Sequence, residues 1–193
     1  MKNDVPVYGL VLTGGESRRM RRDKAVLDYH GKPQLEWMVE LLAPYCERVF
    51  VSVRRDQQDE SVRARFPQIV DRAGEHGPAA GIGAAWDEFP EVAWLVAACD
   101  LPFVDTLTIE HLLGQRDPSK DATAFVSSRD GLPEPLCAIW EPRLTDRLKR
   151  TIAGGQNCPR RLLIDSDTKL IEQPDPRSLD NINTPDDLRE VSM

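Results

Sequence analysis

The sequence predicts an α/β sandwich built on a mainly parallel sheet. Three observations carry this. Short apolar runs of strand length stand at Val7–Leu12, Val49–Val53 and 94–98. Segments of helical periodicity alternate with them, the pattern of successive βα units. Each of these runs stops at a polar or glycine-bearing break: Thr13-Gly14-Gly15, the charged stretch from Arg54, and Cys99-Asp100. Runs apolar at consecutive positions belong to strands covered on both faces. Ligands of such sheets bind beyond the C-terminal ends of the strands.

In chain order, Val7–Leu12 is the first strand. Pro33 opens a helix running through Leu42, at a position where its missing N–H costs nothing. Leu35, Met38, Val39, Leu41 and Leu42 form its inward stripe. Val49–Val53 is the second strand, 62–66 a short helix stopped near Pro67, and Gln68–Val70 a third strand ending at Asp71. A loop over 72–78 leads to a helix over 79–89, whose small residues permit close packing on the sheet. Residues 94–98 form the fourth strand. A helix over 106–116 turns Leu107, Leu112 and Leu113 inward. Strands follow at Ala122–Val126 and 136–140, then an amphipathic helix over 142–152, a short helix over 160–164 and an edge strand over 169–172. Asp180 to Asn183 is extended, and Thr184-Pro185-Asp186-Asp187 starts a last helix, with Thr as cap and carboxylates in the first turn.

The 193 residues are expected to form one domain, residues 1–193. No apolar run approaches a membrane span, and Met1-Lys2-Asn3-Asp4 lacks a signal-peptide core, so the expected setting is the cytoplasm. Cys46, Cys99, Cys137 and Cys158 form no C-x-x-C pair and are expected as reduced, mostly buried thiols. A net charge of −7 argues against general nucleic-acid binding.

Against that acidic background, five cations and two anions share residues 16–24: Arg18, Arg19, Arg21, Arg22 and Lys24 with Glu16 and Asp23. Glycines after a strand let backbone N–H groups approach a ligand closely. With cations beside them, they suit polyphosphate; the plain alternative is a tight turn beside a solvated basic surface. The segment is not a P-loop, because no glycine directly precedes Lys24. Gly81-Ile82-Gly83 has no strand immediately before it and Trp86 where a third glycine belongs, so it is not a dinucleotide fingerprint. Ser17 lacks the G-x-S-x-G setting, and His30, His76 and His111 have no metal or triad spacing.

Asp100, at the end of a buried strand, reads as a Mg²⁺ ligand if phosphate lies nearby, since Mg²⁺ takes one or two carboxylates plus phosphate oxygens and water. Its other reading is a cap on the Leu101-Pro102 turn. Asp71 is either a hook for ribose or base, or a turn residue. Asn181 and Asn183 face one side of an extended segment, toward a substrate or toward the packing of the last helix.

Five stretches then occur in order: Leu12-Thr13-Gly14-Gly15-x-Ser17-x-Arg19-Met20-x-x-Asp23-Lys24-Ala25, Gly31-Lys32-Pro33, Gly77-Pro78-x-x-Gly81, Cys99-Asp100-Leu101-Pro102-Phe103, and Asn181-x-Asn183-Thr184-Pro185-x-Asp187-Leu188. Together they resemble the MobA-like nucleotidyltransferases, and among them the molybdenum cofactor guanylyltransferases, over most of the chain from Gly9 to Leu188. The resemblance implies a Rossmann-like three-layer α/β/α sandwich, nucleotide-diphospho-sugar transferase-like. It implies transfer of GMP from Mg-GTP to molybdopterin with release of pyrophosphate. By position, Leu12, Thr13, Gly14 and Gly15 would hold guanine and phosphates, and Lys24 would contact phosphates. Ser52 and Asp71 would lie by the nucleoside, and Asp100 would bind Mg²⁺ and GTP. Arg18 and Lys24 would offset charge during transfer, and Asn181 and Asn183 would face the pterin. Transient contact with other molybdenum cofactor proteins would follow. Three residues depart from the family pattern: Arg21 where glycine is usual, Thr13 for a common Ala, and Ser52 for a frequent Asn. The alternatives are a cytidylyl or other nucleotidyltransferase on a phosphate acceptor, and a nucleotide-binding protein without catalysis.

Overall fold

The computed structural model describes residues 5–13, 23–72 and 77–180. Seven strands form one sheet in the order β3-β2-β1-β4-β6-β5-β7. They are β1 (Val7–Leu12), β2 (Val49–Val53), β3 (Gln68–Val70), β4 (Ala93–Ala98), β5 (Ala122–Val126), β6 (Pro133–Trp140) and β7 (Thr168–Ile171). All pairings are parallel except those of β6, which runs against both β4 and β5. The helices are α1 (Gln34–Leu42), α2 (Pro78–Glu88), α3 (Thr106–Gly114), α4 (Thr145–Ala153) and α5 (Pro159–Ile164).

Strand alternation splits the core into two halves. Val11, Leu95 and Ala97 pack with Leu35, Met38 and Leu42 of α1 and with Ile109 and Leu112 of α3. Leu10, Leu12, Trp94 and Val96 point the other way, toward Ile82 and Trp86 of α2, Leu148 of α4 and Leu162 of α5. Successive side chains of a strand face opposite sides, so an apolar run feeds both halves at once. The result is the expected three-layer sandwich.

β1 lies between β2 and β4, with Leu12 opposite both Ser52 and Ala98. The chain builds outward from β1 to β2 and β3, then returns to add β4 on the other side. This reversal is a topological switch point, and a crevice opens beyond the strand ends there. The breaks after Leu12, Val70 and Ala98 all meet on that rim.

Several boundaries differ from expectation. Pro33 is the cap of α1, with ψ 136°, and Gln34 is the first helical residue. Leu107 is 60% exposed, and Ile109 takes the inward place beside Leu112. The Asp105 carboxylate caps α3 through Thr108 N–H at 2.8 Å, and Ile109 and Leu112 are the residues that pack into the core. Five residues at about 100° each then put Leu107 well away from the Leu112 face. The segment from Pro142 begins as a single 3-10 turn, Pro142–Leu144, before α4 takes over. β6 starts at Pro133, three residues early, because Pro133 and Pro135 hide a strand in the sequence pattern. Among the described residues, no helix is long and apolar enough to cross a membrane.

Candidate functional site

Thr13 follows directly on β1 and stays within the sheet's hydrogen bonding. Its hydroxyl donates to Ser52 O at 2.7 Å and its N–H reaches the same oxygen at 3.4 Å. The Ser52 hydroxyl in turn donates to Asp71 Oδ1 at 2.8 Å. Asp71 is also held by its N–H, which donates to Val53 O at 2.9 Å. α2 presses onto this corner: a Cβ on Gly81 would lie 2.4 Å from Ser52 Oγ and 3.0 Å from Leu12 Cδ2. The small residues of α2 therefore do pack closely on the strand ends.

On the other side of β1, the Cys99 N–H donates to Leu12 O at 3.1 Å. That bond sets Asp100 beside the place where the chain leaves β1. Asp100 is half-buried. Burial first, and then the Asp100 charge, push the Tyr29 phenol up to about 12. Burial also pushes the Cys99 thiol up, with Asp100 adding to it. The turn after Asp100 is held by His30, whose Nε2 lies 3.1 Å from Pro102 O and whose ring stacks on Trp37. Among the described residues no three His, Cys, Asp or Glu side chains cluster as a ready-made metal cage. A single half-buried carboxylate fits a Mg²⁺ that arrives with phosphate oxygens and keeps part of its water.

A cleft of about 210 Å³ opens next to Asp100, lined by Leu101, Leu136, Cys137 and Leu179 with Glu134 and Arg160 on its polar side. Arg160 donates to Glu134 and Asp130, each at 2.8 Å.

A buried cation at the rim has no motif around it. Arg63 comes from the turn Arg63–Arg65 between β2 and β3, and its side chain is 0% exposed. Nε donates to Thr13 Oγ1 at 3.0 Å and Nη2 to Thr13 O at 3.1 Å. Nη2 also reaches Asp23 Oδ1 at 3.0 Å, while Nη1 is bonded to Asp23 Oδ2 and Glu60 Oε2. Desolvation pushes the Asp23 carboxyl up, but the Arg63 guanidinium and the Ala25 N–H outweigh it and hold the group below its ordinary range.

A family model for the MobA-like NTP transferase domain matches residues 9–170. The chain belongs to the MobA-like NTP transferase family. The molybdenum cofactor biosynthesis bifunctional protein of Synechocystis sp. is 37% identical over 98% of this chain, which spans 55% of that relative's length. The probable molybdenum cofactor guanylyltransferase of Mycobacterium avium is 33% identical, with 100% of this chain and 98% of the relative aligned. The crystal structure of molybdopterin-guanine dinucleotide biosynthesis protein A from Archaeoglobus fulgidus superposes with a TM-score of 0.79 at 30% identity, covering 95% of this chain and 96% of that one.

In this MobA-like transferase, Leu12, Thr13, Ser52, Asp71 and Asp100 share one rim of the sheet. Lys24 opens the short turn Lys24–Val26 directly after Asp23. Gly14, Gly15, Arg18, Arg21, Asn181, Asn183, the Lys24 side chain and the last helix start lie outside the described residues. Sequence reasoning missed Arg63, Tyr29 and Arg160. Arg63 stands in a charged stretch that reads as solvated surface. The one signal for it is Thr13, whose hydroxyl in place of a methyl implies a buried polar neighbour.

Proposed function

We propose that this protein, as a single nucleotidyltransferase domain over residues 1–193, transfers GMP from Mg-GTP to molybdopterin and releases pyrophosphate, forming the guanine dinucleotide cofactor. One observation carries the reading. Thr13, at the head of the glycine-cation segment, and Asp100 stand on adjacent strand ends at the switch point, tied by the Cys99 N–H to Leu12 O bond at 3.1 Å. The family and the names of its relatives support the same reaction.

The chemistry asks for positioning and charge neutralisation. A pterin phosphate oxygen, already anionic, attacks the α-phosphorus of GTP in line. As that P–O bond forms, the bond to the β-phosphate bridging oxygen breaks, and its electron pair leaves with pyrophosphate. No proton has to be removed from the nucleophile. His30 is engaged with Pro102 O and Trp37, and His111 stacks on Phe125.

Backbone at Leu12, Thr13, Gly14 and Gly15 receives guanine and phosphates. Arg18 and Lys24 offset charge on the departing phosphates. Asp71, oriented by Ser52, faces the nucleoside. Asp100 would hold a Mg²⁺, which would supply Lewis-acid neutralisation of phosphate charge. Asn181 and Asn183 serve the pterin side, and the cleft beyond Leu101 lies toward the acceptor with Arg160 in its wall. GTP and molybdopterin meet the protein in the cytoplasm, with transient contact to other molybdenum cofactor proteins and no role for nucleic acid or membrane.

The test is pyrophosphate release with GTP, CTP, ATP and UTP, each with Mg²⁺ and a reduced molybdopterin acceptor. Release with GTP alone is expected. Preference for CTP would reassign the base, and nucleotide binding without release in any arm would remove the transferase reading.

A further inference from the structure

Arg63 is a buried cation that the proposed reaction does not use. A guanidinium at 0% exposure is costly to place unless every donor is matched. Here the five N–H groups meet five acceptor contacts: the Thr13 hydroxyl and carbonyl, both Asp23 oxygens, and Glu60. Thr13 is where the glycine-cation segment leaves β1. Asp23 is where it returns, immediately before Lys24. One planar fork thus spans both ends of a segment nine residues long in sequence.

The Thr13 hydroxyl is part of the same device. It accepts from Arg63 Nε at 3.0 Å and donates to Ser52 O at 2.7 Å, so both of its roles are taken. The departure from the family's common Ala at this position has a partner in Arg63. An alanine here would leave a buried N–H of a charged group without its acceptor.

Resting on the nucleotide reading above, we propose that Arg63 is a positioning residue. Its guanidinium clamps Thr13 to Asp23 and thereby fixes where the chain leaves β1 and where it enters the turn Lys24–Val26, so that GTP affinity depends on the fork's geometry and not only on its charge. Lysine carries the charge but is a point donor that cannot span both partners.

The experiment measures the Kd for Mg-GTP by calorimetry without any pterin, together with thermal stability, in the wild type and three variants. Arg63→Lys is expected to weaken GTP binding by about tenfold or more. In steady state its KM for GTP rises by more than kcat falls. Asp23→Asn, at a half-buried position, is expected to weaken binding in the same direction and gives a second measurement if Arg63→Lys does not fold. Arg116→Lys is the control. Arg116 pairs with Glu141 at 2.7 Å and donates to Val5 O at 3.0 Å, at the other end of the strands. It should lower Tm and leave the GTP Kd within about twofold. Unchanged GTP affinity in a folded Arg63→Lys or in Asp23→Asn overturns the proposal, as does an equal loss in Arg116→Lys. GTP binding without GMP transfer in the wild type defeats only the transferase reading, whereas a wild type that binds no nucleoside triphosphate defeats both.

Discussion

The Ser52 hydroxyl donates to Asp71 Oδ1 at 2.8 Å, joining the end of β2 to the residue that follows β3. The Asp71 N–H donates to Val53 O at 2.9 Å, so its backbone is held to β2 as well. Ser52 is buried, so on the proposed reading it would act on the nucleoside through Asp71 and not by its own hydroxyl. A hydrogen bond to a charged group contributes about 1.5–3 kcal/mol. Ser52→Ala is therefore expected to raise the GTP Kd by roughly tenfold with little change in kcat at saturating GTP, the mark of lost uniform binding. An unchanged Kd would separate Asp71 from the nucleoside.

Gly81 tests the packing above the same corner. A Cβ there meets Ser52 Oγ at 2.4 Å and Leu12 Cδ2 at 3.0 Å. Overpacking of this kind costs about 1–3 kcal/mol, more than the roughly 1 kcal/mol that alanine gains over glycine in a helix. Gly81→Ala should lower the urea midpoint, and Ser52→Gly in the same chain should restore part of it. A Gly81→Ala protein as stable as the wild type would mean that α2 can shift off the strand ends.

The architecture was legible because each buried parallel strand is a run apolar on both faces. Val7–Leu12, Val49–Val53, Gln68–Val70 and Ala122–Val126 have the bounds the pattern predicts. β6 was less so, because prolines at its start break the apolar run that marks a strand. Leu107 was misplaced because a leucine-rich helix offers more than one apolar face, and packing on the sheet chose the one with Ile109 and Leu112. In the rim, Asp71 and Asp100 were visible as carboxylates at strand ends. Arg63 was not, because the Glu60–Arg63 spacing alone reads as a surface ion pair and the partners that bury it lie far away in sequence. Its partners Thr13 and Asp23 are 50 and 40 residues away.

Asp100 gives the sharpest loss of activity. Asp100→Ala is expected to reduce Mg²⁺-dependent pyrophosphate release by about three orders of magnitude. Near-normal release would remove the metal assignment. A second readout does not depend on turnover. The Tyr29 phenol, held up to about 12 by burial and by the Asp100 charge, should titrate at lower pH in Asp100→Asn, burial alone then keeping it above 10. Phenolate absorbance across alkaline pH follows this, and an unmoved Tyr29 would place it beyond the reach of that charge.

The Asp23–Arg63 pair predicts how stability depends on acid. Burial of Asp23 opposes ionisation, and the Arg63 hydrogen bonds and charge reverse that, so its folded pKa lies below the unfolded value near about 3.9. A depressed carboxyl contributes stability that is fully present above the unfolded pKa. The contribution is lost as pH falls from about 4 through the folded pKa, because the folded state must then take up a proton it resists. Asp23→Asn lacks the charge at every pH. Its urea midpoint should fall clearly below that of the wild type at pH 7, and the gap should narrow as pH drops through about 4 and below. A gap that stays constant down to acid pH would show that Asp23 stabilises the chain through shape and hydrogen bonding, with its charge contributing nothing.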